Sequence, residues 1–97
     1  MKNITLGILG GGQLGRMSAL AAARLGIKTI IFTSEQDNPA SFVSYETLIA
    51  EYSDFTALNA FAEKVDFISY EFENIPLETV TYLQKLKAVY PDHRLLE

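Results

Sequence analysis

Cysteine is absent from this chain, which removes disulfides, thiolate metal sites and a cysteine nucleophile together. That absence agrees with a reducing, cytoplasmic setting. Basic side chains are scarce as well: eight lysines and arginines stand against twelve acids, a net charge of -4. The chain as a whole offers no electrostatic footprint for nucleic acid. No apolar run approaches the roughly 20 residues that span a bilayer. The stretch Ile4 to Leu9 runs straight into glycines, without the small-residue cleavage pattern of a signal peptide. A soluble protein with neither a membrane nor a nucleic acid as partner is expected. Histidine occurs once, as His93 near the chain end, with no second ligand at metal spacing, so no metal site is expected.

What is present is an ordinary globular composition, 48% hydrophobic and 21% charged over 97 residues, enough for one domain with a modest core. Ile4 to Leu9 is apolar and bounded by glycine, as a strand buried on both faces would be. From Gln13 to Leu25 the period changes. Leu14, Met17, Ser18, Ala21 and Leu25 recur at helical spacing, and Gly26 then stops the helix.

Lys28 to Phe32 reads as a second buried strand, followed by a polar loop, a short helix over 40–46 and a third strand from Thr47 to Ala50. Ser53 or Asp54 caps a helix with the stripe Phe55, Leu58, Phe61, Ala62 and Val65, its phenylalanines in the core. Val65 to Tyr70 reads as a fourth strand. Pro76 marks the first turn of a helix carrying Leu77, Val80, Leu83 and Leu86, and Ala88 to Tyr90 a fifth strand. Strands alternating with helices in this way predict an α/β fold, a Rossmann-like, doubly wound parallel sheet of order 3-2-1-4-5.

Two constellations could carry chemistry. Gly10-Gly11-Gly12-Gln13-Leu14-Gly15 matches G-x-G-x-x-G and lies between a predicted strand and a predicted helix. Gly10 permits the tight turn, Gly12 the approach of a ligand to the backbone, and Gly15 close packing of helix on strand. The helix start offers N–H groups and partial positive charge to an anion. Arg16 could meet a phosphate or face solvent. A dinucleotide site usually has a carboxylate at the end of the second strand, where Thr33 and Ser34 stand here. Glu35 is near enough to keep an NAD-binding domain as the alternative, and a nucleotide-sensing module without chemistry stays open beside it.

The second constellation is Tyr70-Glu71-Phe72-Glu73-Asn74-Ile75-Pro76, at the carboxyl end of the fourth strand. In the order 3-2-1-4-5 that end neighbours the glycine loop, and ligands of such sheets bind in this crevice. Glu71 is placed to accept a hydrogen bond from an amine or hydroxyl. Glu73 and Asn74 serve either the site or the N-terminus of the next helix, Asn74 then being its cap.

Gly7 to Met17 and Tyr70 to Pro76, with Asp37-Asn38-Pro39-Ala40 and Ala50-Glu51-Tyr52-Ser53-Asp54 between them, together resemble the N-terminal, pre-ATP-grasp domain of 5-(carboxyamino)imidazole ribonucleotide synthases. Thr33-Ser34 departs from the Asp-Pro that many members carry. The resemblance implies a purine-biosynthetic ligase in which ATP phosphorylates bicarbonate and the amine of 5-aminoimidazole ribonucleotide attacks the activated carbon. It implies substrate-binding roles for Gly12, Gln13, Leu14 and Glu71, with Gln13 and Leu14 acting through the backbone, and no catalytic residue within these 97. ATP and magnesium would bind on ATP-grasp and C-terminal domains beyond Glu97, and the parent enzyme would be a homodimer. The chain is accordingly expected to be a piece of that enzyme, inactive alone.

Overall fold

A computed structural model describes residues 4–36, 44–70 and 75–91. Its elements follow in the order β1 (Thr5–Leu9), α1 (Gln13–Arg24), β2 (Lys28–Thr33), β3 (Glu46–Ile49), α2 (Phe55–Lys64), β4 (Phe67–Tyr70), α3 (Leu77–Gln84) and β5 (Val89–Pro91). All strand pairs are parallel and the sheet order is β3-β2-β1-β4-β5, as expected. β1 is central, pairing Leu9 with Phe32 on one side and with Tyr70 on the other.

Alternation along the strands sends side chains to two unequal cores. Leu9, Ile30, Phe32 and Ile68 meet Leu58, Phe61, Ala62 and Leu83 of α2 and α3 in the larger one. Ile8 and Ile31 meet Ala19 of α1 in the smaller. Gly7 belongs to the first face, and the reason is steric: a Cβ there would lie 2.6 Å from the ring of Phe61. Glycine thus lets α2 approach β1.

The sequence pattern misplaced the inner face of α1. Of the expected stripe Ser18 is buried and Ala21 half-buried, but Met17 is 59% and Leu25 77% exposed, and Gly15, Ala19 and Ala22 are buried instead. The buried stripe keeps helical spacing but is turned by about 100°, one residue step. Its residues are all small, so the helix sits close to the sheet, and bulk was a false guide to burial. Gly26, at φ +77°, ends α1 as expected: the N–H of Ile27 donates to the Ala22 carbonyl and that of Gly26 to Ala23, the paired bonds of a Schellman turn.

Other boundaries shift for local reasons. The helix expected over 40–46 is not found in its described part, because Ser44 and Tyr45 are non-helical and Glu46 opens β3; the remainder lies outside the described residues. β3 therefore runs one residue ahead of the expected span. Asp54 is the cap of α2, accepting from the Ala57 N–H at 3.1 Å. Phe61 is fully buried, but Phe55 is 43% exposed and packs on Tyr82 with ring centroids 4.6 Å apart. α3 begins at Leu77 with Pro76 in the cap position, so Asn74 is not its cap; Leu77 is 79% exposed and Thr79 takes a buried place instead.

Candidate functional site

The glycine loop is shaped by β1 and β2 together. Gly10 follows the last residue of β1 at φ +109°, a conformation that a side chain would oppose. Its N–H donates to the Phe32 carbonyl at 2.8 Å, tying the loop to the carboxyl end of β2. Gly11 is buried, and Gly12 takes the cap position of α1, its carbonyl accepting from the Arg16 N–H at 3.0 Å.

A glycine cap brings no side-chain oxygen to the first-turn N–H groups, and that turn carries no acid. The positive end of the helix therefore keeps its charge for an external anion. Gln13 and Leu14 are the first two helical residues, Gly15 is buried beside them, and Arg16 is exposed one position on.

Pairing of Leu9 with Tyr70 brings the end of β4 beside the start of the glycine loop. The two sequence motifs thus leave neighbouring strands at the same edge of the sheet, where the connections on either side part to opposite faces: α1 to one, α2 and α3 to the other. In parallel sheets this is the crevice that takes ligands. Glu71, Glu73 and Asn74 themselves lie outside the described residues, as does His93. Tyr70 and Ile75, which flank the 71–74 segment, both pack against the larger core.

A family profile, the ribonucleotide synthetase preATP-grasp domain, matches residues 1–97. The chain belongs to this family. It is 54% identical over 92 residues to the bifunctional purine synthesis protein purC/E of Dictyostelium discoideum, covering 95% of this chain and 9% of that protein. It is 45% identical over 93 residues to the N5-carboxyaminoimidazole ribonucleotide synthase of Brucella melitensis, covering 96% and 26%. The crystal structure of N5-carboxyaminoimidazole ribonucleotide synthetase from Thermus thermophilus superposes with a TM-score of 0.83 at 41% identity, covering 94% of this chain and 25% of that one. The synthase of Aspergillus clavatus, solved with ADP and 5-aminoimidazole ribonucleotide, superposes at 0.75 with 25% identity, covering 90% and 23%. This chain therefore spans a quarter or less of most of these longer proteins, and 26% at most.

In this preATP-grasp domain β2 ends on a threonine that faces inward. Thr33 is 2% exposed; its hydroxyl accepts from the Glu35 N–H at 3.2 Å and its carbonyl from the Ala50 N–H at 3.0 Å. A buried threonine that caps its own turn stands where a ribose-binding carboxylate would be needed. Glu35 follows on the exposed side.

Sequence reasoning passed over Thr79 and gave Tyr52 no role beyond its place in the resembling string Ala50 to Asp54. Thr79 is 2% exposed and its hydroxyl donates to the Tyr52 carbonyl at 2.8 Å. Nothing local in the sequence marks a contact between residues so far apart in the chain. Among the described residues, no group of three His, Asp or Glu is placed to hold a metal ion, and no helix is long and apolar enough to cross a membrane.

Proposed function

We propose that this chain is the ribonucleotide-binding first domain of an ATP-grasp carboxylating ligase, which converts 5-aminoimidazole ribonucleotide, bicarbonate and ATP into 5-(carboxyamino)imidazole ribonucleotide, ADP and phosphate. The observation that carries the reading is the pairing of Leu9 with Tyr70, which brings the carboxyl ends of β1 and β4 side by side in a chain of this family. Relatives named for this synthase activity, one of them solved with the ribonucleotide, support it.

In the reaction, the γ-phosphoryl group of ATP passes to a bicarbonate oxygen, giving ADP and carboxyphosphate. The exocyclic amine of the ribonucleotide then forms the C–N bond as phosphate leaves, and the amine proton goes to a base. This domain's share is recognition: backbone N–H groups at Gly12, Gln13 and Leu14 face an anionic or polar part of the ribonucleotide, and Glu71 accepts from its amine or a hydroxyl. ATP and magnesium are held on the rest of the parent enzyme, which is a homodimer in the cytoplasm.

Glu71→Gln in the full-length enzyme tests the assignment. The amide keeps the shape and removes the charge, so kcat/KM for the ribonucleotide falls roughly ten- to a hundredfold while KM for ATP stays within about threefold. Glu73→Gln is the control and costs little activity. Equal losses for both substrates, or a larger loss from Glu73→Gln, would sink the role given to Glu71.

A further inference from the structure

On the outer side of the helical layer, Phe55, Leu77, Glu78, Thr81, Tyr82 and Lys85 line a cleft of about 350 Å³ between α2 and α3. Along α3 these residues lie opposite the buried Thr79, Val80 and Leu83, and Phe55 and Leu77 are both exposed. The walls are held in place. The Phe55 ring rests on that of Tyr82, centroids 4.6 Å apart, and the Tyr82 hydroxyl donates to Asn59 Oδ1 at 2.6 Å. Charge of both signs borders the apolar centre. Glu78 and Lys85 stand two turns apart on one face of α3, about 10 Å along its axis, and neither has an ion-pair partner among the described residues. A partner of one charge would oppose one of them with its own sign. A second copy does not: a two-fold axis crossing α3 between them sets each Glu78 against the other copy's Lys85 and closes the two apolar clefts on one another.

We propose that this cleft is a self-association surface, on which two copies of the chain pair antiparallel along α3 with two Glu78–Lys85 ion pairs flanking an apolar centre. Exposed ion pairs stabilise little, so the apolar contact supplies the affinity and the charges fix the register. The surface uses no residue of the crevice and does not depend on the ribonucleotide reading. It gives the homodimer proposed for the parent enzyme a contact on this domain.

Sedimentation velocity of the 97-residue chain tests the surface. The unsubstituted chain is expected to be a mixture of monomer and dimer at about 100 µM. Glu78→Lys or Lys85→Glu alone puts two like-charged pairs into the symmetric contact and should raise the dimer dissociation constant about tenfold. The double variant, Glu78→Lys with Lys85→Glu, should return it to within about threefold of the starting value. Glu78 is also the acid in the first turn of α3, so its replacement lowers the urea midpoint slightly. The double variant shares that loss, so a regained dimer cannot come from stability. Leu77→Ser, at an exposed position, should weaken the dimer with the urea midpoint unchanged. A chain that stays monomeric up to about 1 mM overturns the proposal and leaves the cleft to another part of the parent enzyme, with the ribonucleotide reading untouched. A dimer that ignores the single charge reversals, or that the double variant fails to restore, places the contact elsewhere and overturns the proposal too.

Discussion

At position 10 the backbone, not a side chain, decides the residue. Gly10 holds φ +109° with its N–H on the Phe32 carbonyl, between the end of β1 and the start of α1. Gly10→Ala should therefore lower stability by about 1–3 kcal/mol, the range for a residue forced into a sparsely populated conformation. Urea unfolding checks it: a midpoint equal to that of the unsubstituted chain would show that the loop adapts. This residue was legible in the sequence because the G-x-G-x-x-G spacing is a backbone requirement written locally. The bond from Thr79 to Tyr52 was not, since it exists only once β3, α2 and α3 are assembled. Thr33 lies between these cases. Its place at the end of β2 was evident, but its self-capped turn with Glu35 shows only in the hydrogen bonds.

Among the elements, α1 shows where periodicity misleads. Two overlapping stripes of helical spacing, which share Ser18, run along Gln13–Arg24, one including Leu14 and Met17 and one of small residues throughout, and a parallel sheet that needs a close helix takes the small one. The consequence can be measured. Ala19, fully buried against Ile8 and Ile31, has no space to grow, so Ala19→Leu should cost about 1–3 kcal/mol through overpacking. Met17→Ala, on the exposed side, should stay within about 0.5 kcal/mol. Equal losses at both positions, read from urea midpoints with unchanged m-values, would mean that the face is assigned wrongly. Helices α2 and α3 were easier to read because large apolar residues dominate their inner stripes, Leu58 and Phe61 beside Ala62 and then Val80 and Leu83 beside Thr79. Their ends were harder: at Phe55 and Leu77 the stripe runs past the edge of the core, and exposure follows.

Over the whole molecule the strand order followed from the alternation of strands and helices, because right-handed crossovers leave few other ways to bury these strands. Phosphoryl transfer needs cations and metal-binding acids converging on the terminal phosphate. Of the described basic residues, Lys28 lies over the Tyr45 ring and Lys64 pairs with Glu46 at 2.6 Å, both on the β3 side of the sheet, while Arg16 alone adjoins the glycine loop. An anion can be held at the start of α1, but the described residues gather no metal-binding acids to oppose it with a cation. The 97-residue chain should accordingly release no ADP from ATP, with or without bicarbonate and 5-aminoimidazole ribonucleotide. A coupled ADP assay on protein purified free of other ATPases checks this, with the full-length ligase as the positive control. Bicarbonate-dependent ADP release by the chain alone, abolished by Glu71→Gln, would place phosphoryl transfer within this domain and reverse the division of labour proposed for it.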